Sequence, residues 1–383
     1  MIQKTKLFLS IALIGLLAAC GSDSKKDNDP LKLADWETIT TEGSGKTVNL
    51  MMWQGSPVIK HESTRRNTFL GKPKIKNIKK NIWIDTDISV GMKRYHREGY
   101  SDVDDGYALL QLFKAENINI TGISAVFGNT KIEDAYRLSQ EMATEFAPYE
   151  IPVYKGAAAK IQLENVESNE AVEALAKALK KEALSILAIG PATNVGILLL
   201  LYPELKSQIK EVVLVAGRRT ATSYFEIGKP TAHHAPDLNF DLDNDAFRIL
   251  FEHGIKVVLC PFEISNKVWI TADDLALLKN SKPGNNWLAD KSQPWLEQWL
   301  AGGETGFNPF DVLASHYLIA QEDLITEELY ARLEIHPNDM LLDSSENNFK
   351  QYLLCNKEYG FPVIYCYDVV GDYHEKLMQS LLK

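Results

Sequence analysis

Five aspartates fall within twenty-one residues of this chain: Asp85 and Asp87 close the apolar run Ile82-Trp83-Ile84, and Asp102, Asp104 and Asp105 precede a second apolar run over 107–113. The first pair sits at a predicted strand end and the others at a predicted helix start. Carboxylates crowded at such a junction repel one another, and burying them is costly unless a positive charge joins them. A divalent cation is the simplest solution, and calcium or magnesium suits a segment rich in hard oxygen ligands whose softer alternative is His96 alone. An EF-hand is excluded, because neither Asp85 nor Asp102 as first ligand puts Gly at the sixth position and Glu at the twelfth. The ordinary alternative is a solvated acidic loop favoured by a helix N-terminus. Placement at a buried strand end and beside free backbone N–H groups favours function.

The elements that must position these acids alternate along the chain. Short β-branched runs predict strands over 118–127, 151–154, 185–189, 212–216 and 256–261, with a last strand over 361–369. Helical segments lie over 133–146, 168–181, 194–202 and 243–252, with a last helix over 373–382. Nearly continuous hydrophobic strands separated by helices predict an α/β domain: a largely parallel central sheet flanked by helices. Ligands of such sheets bind outside the strands' carboxyl ends. Asp85 and Asp87 should therefore share a pocket with Gly128-Asn129-Thr130, Gly190-Pro191-Ala192-Thr193-Asn194 and Gly217-Arg218-Arg219.

With 383 residues, 45% of them hydrophobic, the chain can bury one large core, and its net charge of -10 argues against a nucleic-acid partner. Lys4 and Lys6 precede an apolar stretch over 7–19, too short for a comfortable membrane span but suited to a signal peptide. Leu17-Ala18-Ala19-Cys20 resembles a bacterial lipobox, which implies cleavage before Cys20 and lipidation of that residue. The expected organisation is a signal peptide over 1–20, a polar tether over 21–45, an N-terminal extension over 46–80 and the α/β domain over 81–383. Cys260, Cys355 and Cys366 are then left, an odd number without metal-ligand spacing. No disulfide framework follows, and Cys260 and Cys366 read as buried packing.

Asp85-Thr86-Asp87, Asp104-Asp105-Gly106-Tyr107-Ala108-Leu109, Phe127-Gly128-Asn129 and Gly190-Pro191-Ala192-Thr193-Asn194 occur in this order. Asp237-Leu238-Asn239-Phe240-Asp241 and Pro309-Phe310-Asp311-Val312-Leu313-Ala314 follow them. Together these motifs resemble the inosine-uridine-preferring nucleoside hydrolase family, from about residue 80 to the C-terminus. The resemblance implies that fold and a calcium-dependent N-ribohydrolase, whose metal binds a nucleophilic water and two ribose hydroxyls. It further implies calcium ligation by Asp87, Asp105, Asp311 and the backbone carbonyl of Ile189. Asp87 would also be the general base, since a calcium-bound water still needs a carboxylate to take its proton. Asp104 and Asn129 would meet ribose hydroxyls, with Asp237 and Asn239 on the sugar's opposite side. Asp85 reads as loop support, Asp102 has no family counterpart, and Thr193 and Asn194 read as helix caps.

Three departures from the family pattern stand out. Sixteen residues, 88–103, separate Asp87 from Asp104 where the family has a short Pro-Gly link. They form either a lid over substrate or a looped-out excursion that leaves the two acid pairs in family geometry; the second is favoured for the metal. Phe310 stands where many members carry a His that can protonate the leaving group, and Phe cannot. The alternative donors are His233, His234, Tyr224, Tyr95 and His96. Asp237 occupies a position where the family commonly has Glu, one methylene longer. Trp287, Trp295 and Trp299 read as core packing, with a wall for a nucleobase as the sharper alternative.

The expected protein is an extracytoplasmic hydrolase on a lipid anchor, on the periplasmic side or the cell surface, that takes a small nucleoside or ribosyl substrate. Family resemblance implies a homo-oligomer. One competitor is a catalytically silent ribosyl-binding lipoprotein. Another is a magnesium-dependent phosphohydrolase with Asp85 as nucleophile, for which the motif match is poorer.

Overall fold

The computed structural model describes residues 79–95, 98–227, 234–340 and 348–383. The expected signal peptide with Cys20, the tether and nearly all of the N-terminal extension lie outside the described residues, as do His96 and His233.

Among the described residues eleven strands form in chain order: β1 (Lys80–Thr86), β2 (Ile118–Ala125), β3 (Val153–Lys155), β4 (Leu184–Ala188), β5 (Ile209–Leu214), β6 (Val257–Leu259), β7 (Ile270–Thr271), β8 (Gly306–Phe307), β9 (Leu324–Pro337), β10 (Phe349–Asn356) and β11 (Phe361–Val369). Nine make one sheet in the order β10-β9-β11-β6-β5-β4-β1-β2-β3, while β7 and β8 pair separately. From β3 to β11 every pairing is parallel; β9 joins β11 and β10 joins β9 antiparallel. The largely parallel sheet expected from the β-branched runs is therefore present, with an antiparallel margin in place of an all-parallel edge. Both faces of the parallel part are covered, which is why β4 is buried at every residue. Two apolar cores result: one includes Ile84, Leu109 and Leu313, the other Trp83, Val195 and Phe247.

Strand order reverses at β1. The chain moves outward through β2 and β3, then crosses back to place β4 on β1's other side. Such a switch point opens a crevice at the carboxyl ends of the two central strands, and the acids at the end of β1 stand there.

The insert is an excursion rather than a gap. Gly91 N–H donates to the Asp102 carbonyl at 3.0 Å, Ser101 N–H to the Met92 carbonyl at 2.8 Å and Arg94 N–H to the Gly99 carbonyl at 3.0 Å. With the antiparallel Lys93–Tyr100 bridge, these bonds define a hairpin whose two ends meet. The turn into it is strained: Val90, β-branched, has φ 37°. The hairpin docks on the helix Pro283–Ala301, where the Gln298 amide accepts from Tyr100 N–H at 2.8 Å and donates to its carbonyl at 3.3 Å. Arg94 lies over the Trp295 ring, 5.5 Å from its centre, and the Tyr95 hydroxyl donates to Asp134. Gln298→Ala removes both backbone bonds; it should lower stability by about 1 kcal/mol and speed hydrogen exchange at the Tyr100 amide.

Trp295 and Trp299 are buried in the core, as expected, while Trp287 is half-buried and packs on Phe146 with ring centres 5.4 Å apart. Cys260, Cys355 and Cys366 are free and buried. Among the described residues, no helix is long and apolar enough to cross a membrane.

Candidate active site

Asp85 and Asp87 extend from the end of β1, and Asp104 and Asp105 open the helix Asp104–Lys114. Asp311 lies in the first turn of the helix Phe310–Ile319. All five are buried. Asp105 accepts from the Thr86 hydroxyl, which ties the helix start to the strand end. One oxygen of Asp87 accepts from the backbone N–H of Asn129 at 2.7 Å. The other oxygen of Asp87 has no partner, nor have Asp104 Oδ1 and Asp105 Oδ2.

Burial raises the pKa of Asp87, Asp104, Asp105 and Asp311 well above the usual carboxylate range, and the acids raise one another further. Asp311 feels Asp104, Asp105, Asp87 and Asp102 together, so acids from three separate segments converge on one place. Unpaired buried oxygens in mutually repelling carboxylates are the donor set of a hard divalent cation. The residues fit such an ion. Asp102, Asp104 and Asp105 each offer an oxygen within 4.8 Å of the others'. That group shares only Asp105 with the expected ligand set and brings in Asp102, for which family spacing had no place.

Two glycines let the chain approach Asp87. A Cβ on Gly128 would stand 1.9 Å from Asp87 Oδ2, and one on Gly190 would stand 3.0 Å from Asp87 Cβ. The carboxylate is thus cradled by the backbone that follows β2 and β4. Gly128→Ala should cost about 1–3 kcal/mol, read as a fall in the urea midpoint, because the added Cβ would also stand 2.8 Å from Asp87 Cβ, which a turn of the carboxylate does not relieve.

Asp85 supports the frame, as expected. Its Oδ1 accepts from the Ser124 hydroxyl and, at 2.7 Å, from the Asn194 amide, while burial raises its pKa to about 6. The capping role expected of Thr193 and Asn194 is corrected. The cap position of the helix Thr193–Leu201 is Ala192, without a side-chain bond. Asn194 instead donates to Asp85 and to the Ala125 carbonyl at 3.2 Å and accepts from Ala157 N–H at 2.9 Å. Thr193 donates to Asp243 at 2.7 Å. Both side chains are taken by buried groups at the ends of β1 and β2 and at Asp243.

Ile189 follows β4, and its N–H donates to the Asp85 carbonyl at 2.9 Å. Its own carbonyl accepts from the Asn239 amide at 3.0 Å, which leaves one lone pair for a further partner. Asn239 also donates to the Val215 carbonyl at 3.1 Å, so its amide hydrogens bridge the ends of β4 and β5 and its oxygen is what it can offer a ligand. Asp237 accepts from Gly217 N–H at 2.8 Å, and burial lifts its pKa to about 7 against the opposing pull of Arg218.

Phe310 belongs to an aromatic ladder. Its ring centre lies 6.0 Å from Phe262 and 6.2 Å from Trp299; Phe262 stacks on Phe225 at 4.7 Å and Trp299 meets Trp295 at 6.0 Å. Tyr224 and His234 stack on each other at 4.2 Å, and His234 bonds the Asp339 carbonyl at 2.9 Å. Arg218, fully buried, pairs with Asp339 at 2.7 Å. Nothing in the sequence pattern announces that pair.

A doubly wound, largely parallel sheet with buried acids at its switch point defines an α/β protein. The model of the inosine-uridine preferring nucleoside hydrolase family matches residues 82–351, and the chain belongs to that family. It is similar to the probable uridine nucleosidase 1 of Oryza sativa subsp. japonica, 26% identical over 54% of this chain and 69% of that protein. It also resembles the pyrimidine-specific ribonucleoside hydrolase RihA of Salmonella typhimurium, 28% identical over 45% of this chain and 61% of the relative. Among solved structures, the plant nucleoside hydrolase PpNRh1 superposes with a TM-score of 0.61 at 16% identity, covering 79% of this chain and 98% of that one. The inosine-uridine preferring nucleoside hydrolase from Bacillus anthracis gives 0.58 at 18% identity, over 79% and 99%. These likenesses carry the fold.

Proposed function

We propose that the protein hydrolyses the N-glycosidic bond of ribonucleosides, releasing ribose and a free base, with calcium as its metal. The observation that carries this reading is the convergence of Asp87, Asp104, Asp105 and Asp311, buried and mutually repelling, at the switch point of a nucleoside hydrolase fold. Asp87, Asp105, Asp311 and the Ile189 carbonyl would hold the ion, which supplies Lewis acidity for a water and for sugar hydroxyls.

The chain's own groups do the rest. Asn129 N–H fixes one oxygen of Asp87, so the unpartnered Oδ1 is the atom that takes the attacking water's proton. Asp104 keeps Oδ1 for a ribose hydroxyl, and Asn129 is assigned a second one. Asp237 and the Asn239 oxygen face the sugar from the β5 side of the pocket. Positive charge develops on the sugar as the bond to the base breaks, and the surrounding carboxylates favour it. Phe310 and its ladder offer the base an apolar face instead of a proton donor. Asp85 accepts from Ser124 and Asn194 through Oδ1 alone, while its Oδ2 is buried without a partner. We further propose that Cys20 carries a lipid anchor that holds the domain outside the cytoplasm.

Chromatography of a purine and pyrimidine nucleoside panel incubated with the full-length protein tests the reaction. The expected result is free base and ribose in equal amounts from at least one nucleoside. Calcium-dependent nucleoside binding without cleavage would establish the silent binding protein instead, the outcome that replacement of the family's His by Phe310 favours.

A further inference from the structure

We infer that Asp102 is an additional carboxylate ligand of the cation site, carried into it by the hairpin that interrupts the family motif. This inference rests on the calcium reading above. Calcium takes six to eight oxygens at about 2.4 Å, so ligands on opposite sides of one ion stand about 4.8 Å apart. Oxygens of Asp102, Asp104 and Asp105 all lie within 4.8 Å of one another, which is the span of one coordination shell. Within that group Asp104 Oδ1 and Asp105 Oδ2 are buried without partners, as is Oδ1 of the neighbouring Asp87. Asp102 is also the strongest charged neighbour of Asp87 and of Asp104.

The hairpin holds Asp102 in place, and its side chain also meets Asp104, Asn129 and the charge of Arg94. Its carbonyl accepts from Gly91 N–H at 3.0 Å, and the Ser89 hydroxyl reaches its Oδ1 at 3.2 Å. The two hairpin ends are thereby locked beside Asp87 on one side and Asp104 on the other. An added negative ligand raises affinity for calcium, since ligand charge count is a main control of binding strength in oxygen sites.

Calcium is titrated calorimetrically into the chelator-treated full-length protein and into Asp102→Asn, Asp102→Glu, Asp105→Asn and Ser89→Ala, with Tm read with and without calcium. Asp105→Asn should abolish binding, and Asp102→Asn should weaken it at least tenfold and shrink the calcium-induced rise in Tm. Without calcium, Asp102→Asn should melt higher than wild type, because one repelling charge is gone; this also shows that it folds. Asp102→Glu should retain most of the affinity and Ser89→Ala nearly all of it. Wild-type affinity in Asp102→Asn, or equal loss in Asp102→Asn and Asp102→Glu, would overturn the inference while Asp105→Asn leaves the calcium reading standing. Failure of the wild type to bind calcium would remove both.

Discussion

Asp87→Asn is expected to lower kcat by about 10³-fold, as loss of a positioned general base does, with the protein still folded. Asn keeps the shape of Asp87 and can still accept from the Asn129 N–H that bonds it at 2.7 Å. It cannot take a proton from water. The charge lost is one of several that raise each other's pKa by proximity, so the variant should be at least as stable as wild type when calcium is chelated. Steady-state kinetics on the best nucleoside and a melting curve in chelator check the two halves together. Retention of activity within tenfold would move the base elsewhere, and a lower Tm in chelator would mean that Asp87 is a structural acid.

Arg218→Met is the most damaging change expected for stability, about 3 kcal/mol. Both side chains of the Arg218–Asp339 pair are almost wholly enclosed, 1% and 2% exposed, and breaking a buried pair from one side typically costs about 3–5 kcal/mol because the other charge stays behind. Lys350 stands 3.1 Å from Asp339 and softens the loss, which sets the figure at the low end. Packing adds to it, since the guanidinium lies 4.1 Å from the Phe225 ring centre and 5.0 Å from that of Tyr352. Urea denaturation measures the change, and adding Asp339→Leu to Arg218→Met should restore most of it. Asp237 would lose the cation that opposes its burial, so the single variant should also disturb the pocket. A change below 1 kcal/mol in the single variant would show that the pair is not structural.

The parallel half of the fold was legible because its strands are buried on both faces. Runs such as Leu184–Ala188 are apolar but for Ser185 and buried throughout, and a last strand and helix over 361–369 and 373–382 coincide with β11 and the helix Tyr373–Leu382. The antiparallel margin was not legible. Leu324–Pro337 mixes Glu327, Glu328, Arg332 and Glu334 with Leu329 and Leu333, because much of it faces water, and its length disguises a strand that pairs on both sides. The single helix expected over 243–252 has a separate short turn, Leu238–Leu242, before it, broken at Asp243, whose side chain caps the second helix. At the site, Asp85 and Asp87 were placed by strand-end topology, whereas Asp104, Asp105 and Asp311, at helix starts, were joined to them only through the family motifs. Asn194 was misread because Asn at a helix start ordinarily caps; only the folded structure shows the buried carboxylate oxygen that claims it. Asp102 was passed over because sixteen intervening residues conceal that the hairpin's ends touch.

The central claim is that buried carboxylates and calcium together cleave a nucleoside, and ribose release by the chelator-treated full-length protein before and after calcium is restored tests it most directly. No release is expected in chelator, with recovery on adding calcium and no recovery in Asp105→Asn. Equal ribose release with and without calcium, or full recovery in Asp105→Asn, would contradict it.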